Sequence, residues 1–295
     1  SDNTFLGNHV VIPAGVALPS DILLGICTVA DPARIRTGTS WFGHPSFELP
    51  RREVFTADRA LTHDPPFIRR ATRVFWECTR VTLPILPLLL GRWWLQTMPL
   101  WREGRSTAEF YLVALPFAAL LMGGALCLAS WLAKWLVMGP IREGRYALWS
   151  CWAMRWDFLY ETWSNWANLV VSYFEGTPYL AYWLRAMGAK VGHGVVFDGS
   201  FVQLVEPEML EVGDEATVAC HLQSHSFEDR VLKLAPVRIG ARSTVGAGAV
   251  LLYGAVIGEG TTVGDNSVVM KHEDLLPGLV YSGFPTRPVT AVAAP

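Results

Sequence analysis

Between Ile239 and Val269 a branched aliphatic returns at every sixth residue: Ile239, Val245, Leu251, Ile257, Val263 and Val269. A period of six fits neither the 3.6-residue repeat of an amphipathic helix nor the alternation of a half-buried strand. The residue after each of the first five is Gly240, Gly246, Leu252, Gly258 and Gly264, so Leu252 is the one exception. The fifth position of each hexad is small: Ser243, Ala249, Ala255, Thr261 and Ser267. This is the hexapeptide repeat of a parallel β-helix. Each coil of such a prism has three short sides, so about 18 residues complete a turn and one aliphatic points inward from each side. Glycine relieves the backbone where the chain bends sharply. The interleaved Arg242, Glu259, Asp265 and Asn266 argue against a flexible linker or a transmembrane dimer face.

A fainter copy lies at the other end, where Leu6, Ile12, Leu18 and Leu24 are six apart and Val10, Val16, Ile22 and Thr28 hold the fifth positions. The segment starting at Leu6 aligns with the one starting at Val245, and W-F-G-H-P-S from Trp41 aligns with Y-S-G-F-P-T from Tyr281. The chain therefore reads as the last coils of one β-helix (1–50), a middle segment (51–187) and a second, whole β-helix (188–295). About two coils alone expose an open end, so 1–50 is expected to need further N-terminal coils or a docking partner.

The middle segment belongs to another environment. Of thirteen tryptophans, all but Trp41 lie between Trp76 and Trp183, and 51% of the chain is hydrophobic against 17% charged. Two transmembrane spans are expected, 81–101 and 110–135. The first carries Pro84, Pro87 and Arg92; an arginine at mid-span costs about 2.5–3.5 kcal/mol on insertion scales, which several leucines offset, and the eleven uncharged residues before it fit a re-entrant segment equally well. The second has 24 uncharged residues from Phe110 to Ala133, with Trp131 and Trp135 near one end. Arg51, Arg52, Arg69, Arg70, Arg73 and Arg80 before the pair, and Lys134, Arg142, Arg145 and Arg155 after it, outnumber Arg102 and Arg105 between. That bias puts both β-helices on the cytoplasmic side of the inner membrane. In 146–187 the polar stripe Asp157, Glu161, Asn165, Asn168 and Ser172 is backed by Trp156, Tyr160, Trp163 and Trp166, the pattern of an interfacial amphipathic helix or of a bundle helix on the spans. Pro178 ends it, and a short helix over 179–187 leads into Gly188. The net charge of −2 gives no case for a nucleic-acid partner. Cys27, Cys78, Cys127, Cys151 and Cys220 form no framework and read as reduced thiols.

Chemistry is expected where the hexads break, from Ala219 to Pro236, because long excursions from a solenoid carry function. This loop holds His221, His225, Glu228, Asp229 and Arg230. A histidine held by a carboxylate, here Glu228 or Asp229, is a general base near neutral pH. His225 and His221 are rivals for that role. Gly246 and Gly248, with no side chains in the way, are the expected backbone donors to an oxyanion.

Residues 191–290 resemble the hexapeptide acyltransferases, on H-S-F-E-D-R followed by P-V-R-I-G-A and on the closing Y-S-G-F-P-T-R-P-V. That resemblance implies a left-handed β-helix, His225 as base, and Gly283, Pro285 and Arg287 along the channel of a coenzyme A or phosphopantetheine donor. The whole layout resembles the C-terminal membrane region of the epsilon-poly-L-lysine synthetase type of non-ribosomal peptide synthetase. It implies amide or isopeptide bond formation from an aminoacyl group on a phosphopantetheine carrier, with an amino-acid or amine acceptor. It also implies carrier and adenylation domains outside this chain, and a homo-oligomer or tandem β-helix copies around the site. Three other readings stay open: a coenzyme A-dependent O- or N-acetyltransferase, an inactive β-helix scaffold, and a zinc site of the three-histidine kind, for which His221 and His225 supply only two ligands.

Overall fold

The computed structural model describes residues 3–7, 10–26, 28–43, 45–49, 57–198 and 204–289, so Cys27, His44, Arg51 and Arg52 of the sequence reading lie outside it. The hexads fold as their period demands. Their six aliphatics are at most 3% exposed, and Ser243, Ala249, Ala255, Thr261 and Ser267 are fully buried at the corners. Three parallel ladders form the sides: Val237–Ile239 with Val256–Ile257, Thr244–Val245 with Thr262–Val263, and Val250–Leu252 with Val268–Val269. Thr244 lies opposite Thr262, one coil of 18 residues, which is the spacing of a left-handed hexapeptide β-helix. Buried corner hydroxyls are satisfied by the next coil: Ser243 Oγ donates to the Gly258 carbonyl and Thr261 Oγ1 to the Leu276 carbonyl, each at 2.8 Å. A Cβ on Gly240 would stand 2.5 Å from the Glu259 nitrogen, so stacking of coils excludes a side chain there.

The internal repeat is also structural. Phe5–Leu6, Leu23–Leu24 and Ser40–Phe42 pair in parallel, and the chain then turns back through Phe47–Glu48. The second copy closes the same way, Val280–Ser282 pairing antiparallel with Arg287–Pro288. The glycine after each of these strands has positive φ, 92° at Gly43 and 109° at Gly283.

The two copies dock side by side, which explains Leu252. Phe42, Leu252 and Val268 are buried together, with Ile26, Phe47, Leu49, Met270 and Phe284 packed on them. The Phe42 and Phe284 rings stack with centroids 5.5 Å apart. Burying each such side chain is worth about 1.5–3 kcal/mol, so a leucine where the other hexads have glycine supplies an outward-facing contact for the first copy.

Two helical stretches, Arg59–Arg102 and Thr107–Met138, each hold an 18-residue window long and apolar enough to cross a membrane, with window mean hydropathies of 1.3 and 2.3. The first is interrupted at 82–84, between Phe67–Val81 and Ile85–Arg102, and neither of those helices has a buried residue. The helix Cys151–Thr162 shows what the polar stripe of 146–187 faces at its start. Its carboxylates face the Phe67–Val81 helix: Arg73 pairs with Asp157 at 2.6 Å, and Arg80 with Asp157 at 3.5 Å and Glu161 at 3.9 Å. At Asp157 and Glu161 the stripe is an ion-paired seam between packed helices, and arginines read as flanking charge supply the other half. Beyond it, the Pro178–Met187 helix buries Leu180, Ala181, Leu184 and Met187 against Val195 and Phe197, closing the open end of the second β-helix. It ends at Gly188, whose φ is 117°. Cys78, Cys127, Cys151 and Cys220 are free thiols.

Candidate active site between the two β-helices

The break in the hexads lengthens one coil. Thr217 lies opposite Thr244, 27 residues on, where a regular step is 18. The extra chain forms an antiparallel hairpin, His225–Glu228 against Val231–Leu234, turned by Asp229 and Arg230 at φ 53° and 60°. Such two-residue hairpin turns need positive φ at both positions, so Asp229 serves the turn. Val231–Leu234 also pairs with Gly144–Ala147, and the Leu148 N–H donates to the Arg230 carbonyl at 2.9 Å. His225 therefore stands on a strand tied to the middle segment.

The partner of His225 is Glu206, which sequence reasoning missed. The imidazole Nδ1 hydrogen-bonds Glu206 Oε1, the same oxygen accepts from Ser224 Oγ at 3.0 Å, and Oε2 accepts from the Trp156 indole at 3.2 Å. Trp156 meets the imidazole edge-on, with centroids 5.2 Å apart. Glu206 is 1% exposed, in a run where Leu204, Val205, Met209 and Leu210 are buried as well. A carboxylate this deep is tolerated only when its oxygens are satisfied and its charge is balanced. Burial pushes the Glu206 carboxyl up, but the His225 charge and the donated hydrogen bonds outweigh it and hold its pKa below the ordinary range. For His225, burial works against the imidazolium, yet Glu206 more than compensates and raises its pKa above the ordinary value. With Nδ1–H committed to Glu206, Nε2 is the nitrogen left to take a proton.

His225 lines a cavity of about 480 Å³ between the two β-helices. The first copy contributes Leu23, Ile26, Phe42 and the backbone of Gly7 and Gly25; the second contributes Gln223, Glu228, Leu252, Met270 and Lys271. Sequence signals for Glu206 existed: two glutamates flank Pro207 inside the apolar run 204–210, where charges are out of place.

Other expected residues fall differently. Glu228 does not hold His225, because residues three apart on a strand point to opposite faces. It accepts instead from Ser226 Oγ at 2.8 Å, from Lys271, and from Lys233 at 3.4 Å. Burial raises its pKa, but Lys271, Ser226 and Lys233 together hold it below the usual carboxylate range. His221 begins the strand paired with Val250–Leu252, is exposed, and does not line the cavity. Gly246 and Gly248 lie at a corner of the prism and do not line the cavity, and the Gly246 N–H already donates to the Val263 carbonyl at 2.8 Å. Gly283, Pro285 and Arg287 belong to the closing turn and strand and do not line the cavity either; the Gly283 N–H donates to Ser267 Oγ at 3.1 Å. Among the described residues no three His, Cys, Asp or Glu side chains are grouped to hold a metal ion.

The family comparison agrees with the hexapeptide fold of the second copy. Residues 236–271 match the bacterial transferase hexapeptide (six repeats) family. The chain is 29% identical, over 97% of its length, to the delta-poly-L-ornithine synthetase of Acinetobacter baumannii (strain AB307-0294). It spans about a fifth (22%) of the length of that relative. Among solved structures, AntD, an N-acyltransferase from Bacillus cereus in complex with dTDP and 3-hydroxybutyryl-CoA, is similar at 21% identity and TM-score 0.26, covering 34% of this chain and 58% of that one. A galactoside acetyltransferase in complex with coenzyme A is similar at 18% identity and TM-score 0.31, covering 37% and 68%. The hexapeptide match supports an acyltransferase.

Proposed function

We propose that the cavity is where an acyl or aminoacyl group passes from a pantetheine thioester to an amine, forming an amide bond, with His225 as general base. The observation that carries this reading is the His225–Glu206 pair opening into a cavity walled by both β-helices. The amine nitrogen attacks the thioester carbonyl, a C–N bond forms, the C–S bond breaks, and the proton taken by Nε2 passes to the departing sulfur. Apolar Leu23, Ile26, Phe42, Leu252 and Met270, with Gln223 and Lys271 as polar groups, suit a thin, partly polar pantetheine arm. Coenzyme A and a carrier-bound phosphopantetheine present the same thioester, and the likeness to a poly-ornithine synthetase favours the carrier-bound aminoacyl donor of a membrane peptide synthetase. On this reading carrier and adenylation domains are partners and a diamino acid is the acceptor. In an assay with S-aminoacyl pantetheine and ornithine or lysine, the full-length protein is expected to release one thiol per amide formed. Thiol release that no amine accelerates overturns the proposal, and transfer from acetyl-CoA to a hydroxyl acceptor alone replaces it with an O-acetyltransferase.

The chain is proposed to cross the inner membrane twice, through Ile85–Arg102 and Thr107–Met138, with both β-helices cytoplasmic. With Cys78 and Cys151 changed to serine, a membrane-impermeant thiol reagent applied from outside is expected to label Glu103→Cys and to miss Asp274→Cys. Equal labelling of the two positions sinks this topology.

A further inference from the structure

We infer that Lys134 is a positioning residue for the candidate base: through Glu208 it pins the turn that carries Glu206, and so ties His225 to the end of the Thr107–Met138 helix. The inference rests on the proposed role of His225 for its effect on turnover, but not for its effect on His225 itself.

Lys134 has a fully buried side chain, and its ammonium lies 3.4 Å from the centroid of the Trp135 ring. It ion-pairs with Glu208 Oε1, which also accepts the Ile141 N–H at 3.0 Å. Glu206 and Glu208 flank Pro207, and the turn is closed by the Met209 N–H donating to the Glu206 carbonyl at 2.9 Å. Because proline fixes φ and this turn is short, a shift of Glu208 moves Glu206 with it. An unpaired charge at either end of Lys134–Glu208 would be costly, so the turn cannot slide along the helix end.

The helix end is itself held. The indole N–H groups of Trp131 and Trp135 both donate to the Ala186 carbonyl, at 3.0 and 3.2 Å, and Arg155 donates to the Val137 carbonyl at 3.2 Å. Trp156 grips the other oxygen of Glu206 from the Cys151–Thr162 helix. The dyad thus stands between two anchors, both from the middle segment. A stability role alone does not require a charge here, since a buried ion pair exchanged for well-packed apolar residues is often neutral or stabilising. The ionisable and charged groups around His225 are Glu206 from this turn, Glu228 on its own strand, Lys233 on the paired strand, and Tyr253, Lys271 and His272 across the cavity.

The test uses the full-length protein with Lys134→Met and Lys134→Met/Glu208→Met, the double variant keeping a buried but uncharged pair should the single one fail to fold. Two quantities are read: the titration of the His225 ring by NMR on histidine-labelled protein, and kcat with KM. Both variants are expected to titrate His225 at lower pH than wild type and to lose about tenfold in kcat with KM within about twofold, the loss that a slightly misaligned base produces. A folded double variant with wild-type His225 titration overturns the inference. A shifted titration with unchanged turnover supports it while removing His225 as the base.

Discussion

Replacing His225 with alanine is expected to lower turnover by about 10²- to 10⁴-fold, the usual worth of a positioned general base. The β-helix should stay folded at some cost in stability: the imidazole is outside both the prism core and the apolar contact between the copies, but its loss leaves buried Glu206 without the charge that balances it. Its strand keeps its backbone pairing with Val231–Leu234 whatever the side chain. His221→Ala is the matching control, since that side chain is exposed and does not line the cavity. Near-normal product from His225→Ala together with collapse in His221→Ala would move the base to His221. Near-normal product from both would leave the scaffold reading in possession of this copy.

The second large effect is that of Glu206→Gln. A glutamine amide can donate to Nδ1 and so favour the tautomer with its proton on Nε2, the nitrogen that must accept; the plateau rate is expected to fall by about 10²-fold or more. The pH profile moves as well. Glu206 raises the His225 pKa, and the base form exists only above it, so the rising limb of the wild-type profile lies on the alkaline side of an ordinary imidazole. Without the carboxylate charge that limb shifts to lower pH. Stability follows the same linkage. The raised His225 contributes stability that is fully present below its unfolded pKa and lost as pH rises through the folded one. The depressed Glu206 contributes stability present above its unfolded pKa and lost as pH falls through the folded one. The pair therefore stabilises the fold between those two folded values. Thermal midpoints of wild type and variant should converge outside that window; equal midpoints throughout, with an unmoved limb, would break the assignment.

The prism was legible because its period leaves no freedom: a six-residue spacing of Ile239 through Val269 with small corner residues has one packing solution. The first copy was legible from its alignment with the second, down to the paired glycines Gly43 and Gly283. The site was legible only in part. A strand alternates faces, so local sequence put Glu228 near His225 while the fold turned its carboxylate to Lys271 and Lys233, and the true partner came from 19 residues upstream across a coil. Long-range pairing of that kind leaves no spacing signature, only the anomaly of charges in an apolar run. The stripe at Asp157 and Glu161 was ambiguous because a carboxylate facing water and one facing an arginine on another helix look alike until the neighbour is known.

The docking of Leu252 against Phe42 has one more consequence. In a ring of identical subunits every wall of every site is written once in the gene, and a change that refits the substrate side also alters the side bearing the base. Here the facing walls are encoded almost two hundred residues apart, Leu23 to Phe42 on one and Gln223 to Lys271 on the other. A substitution at Leu23, Ile26 or Phe42 can therefore reshape one wall of the cavity while leaving the His225–Glu206 pair on the other as it is.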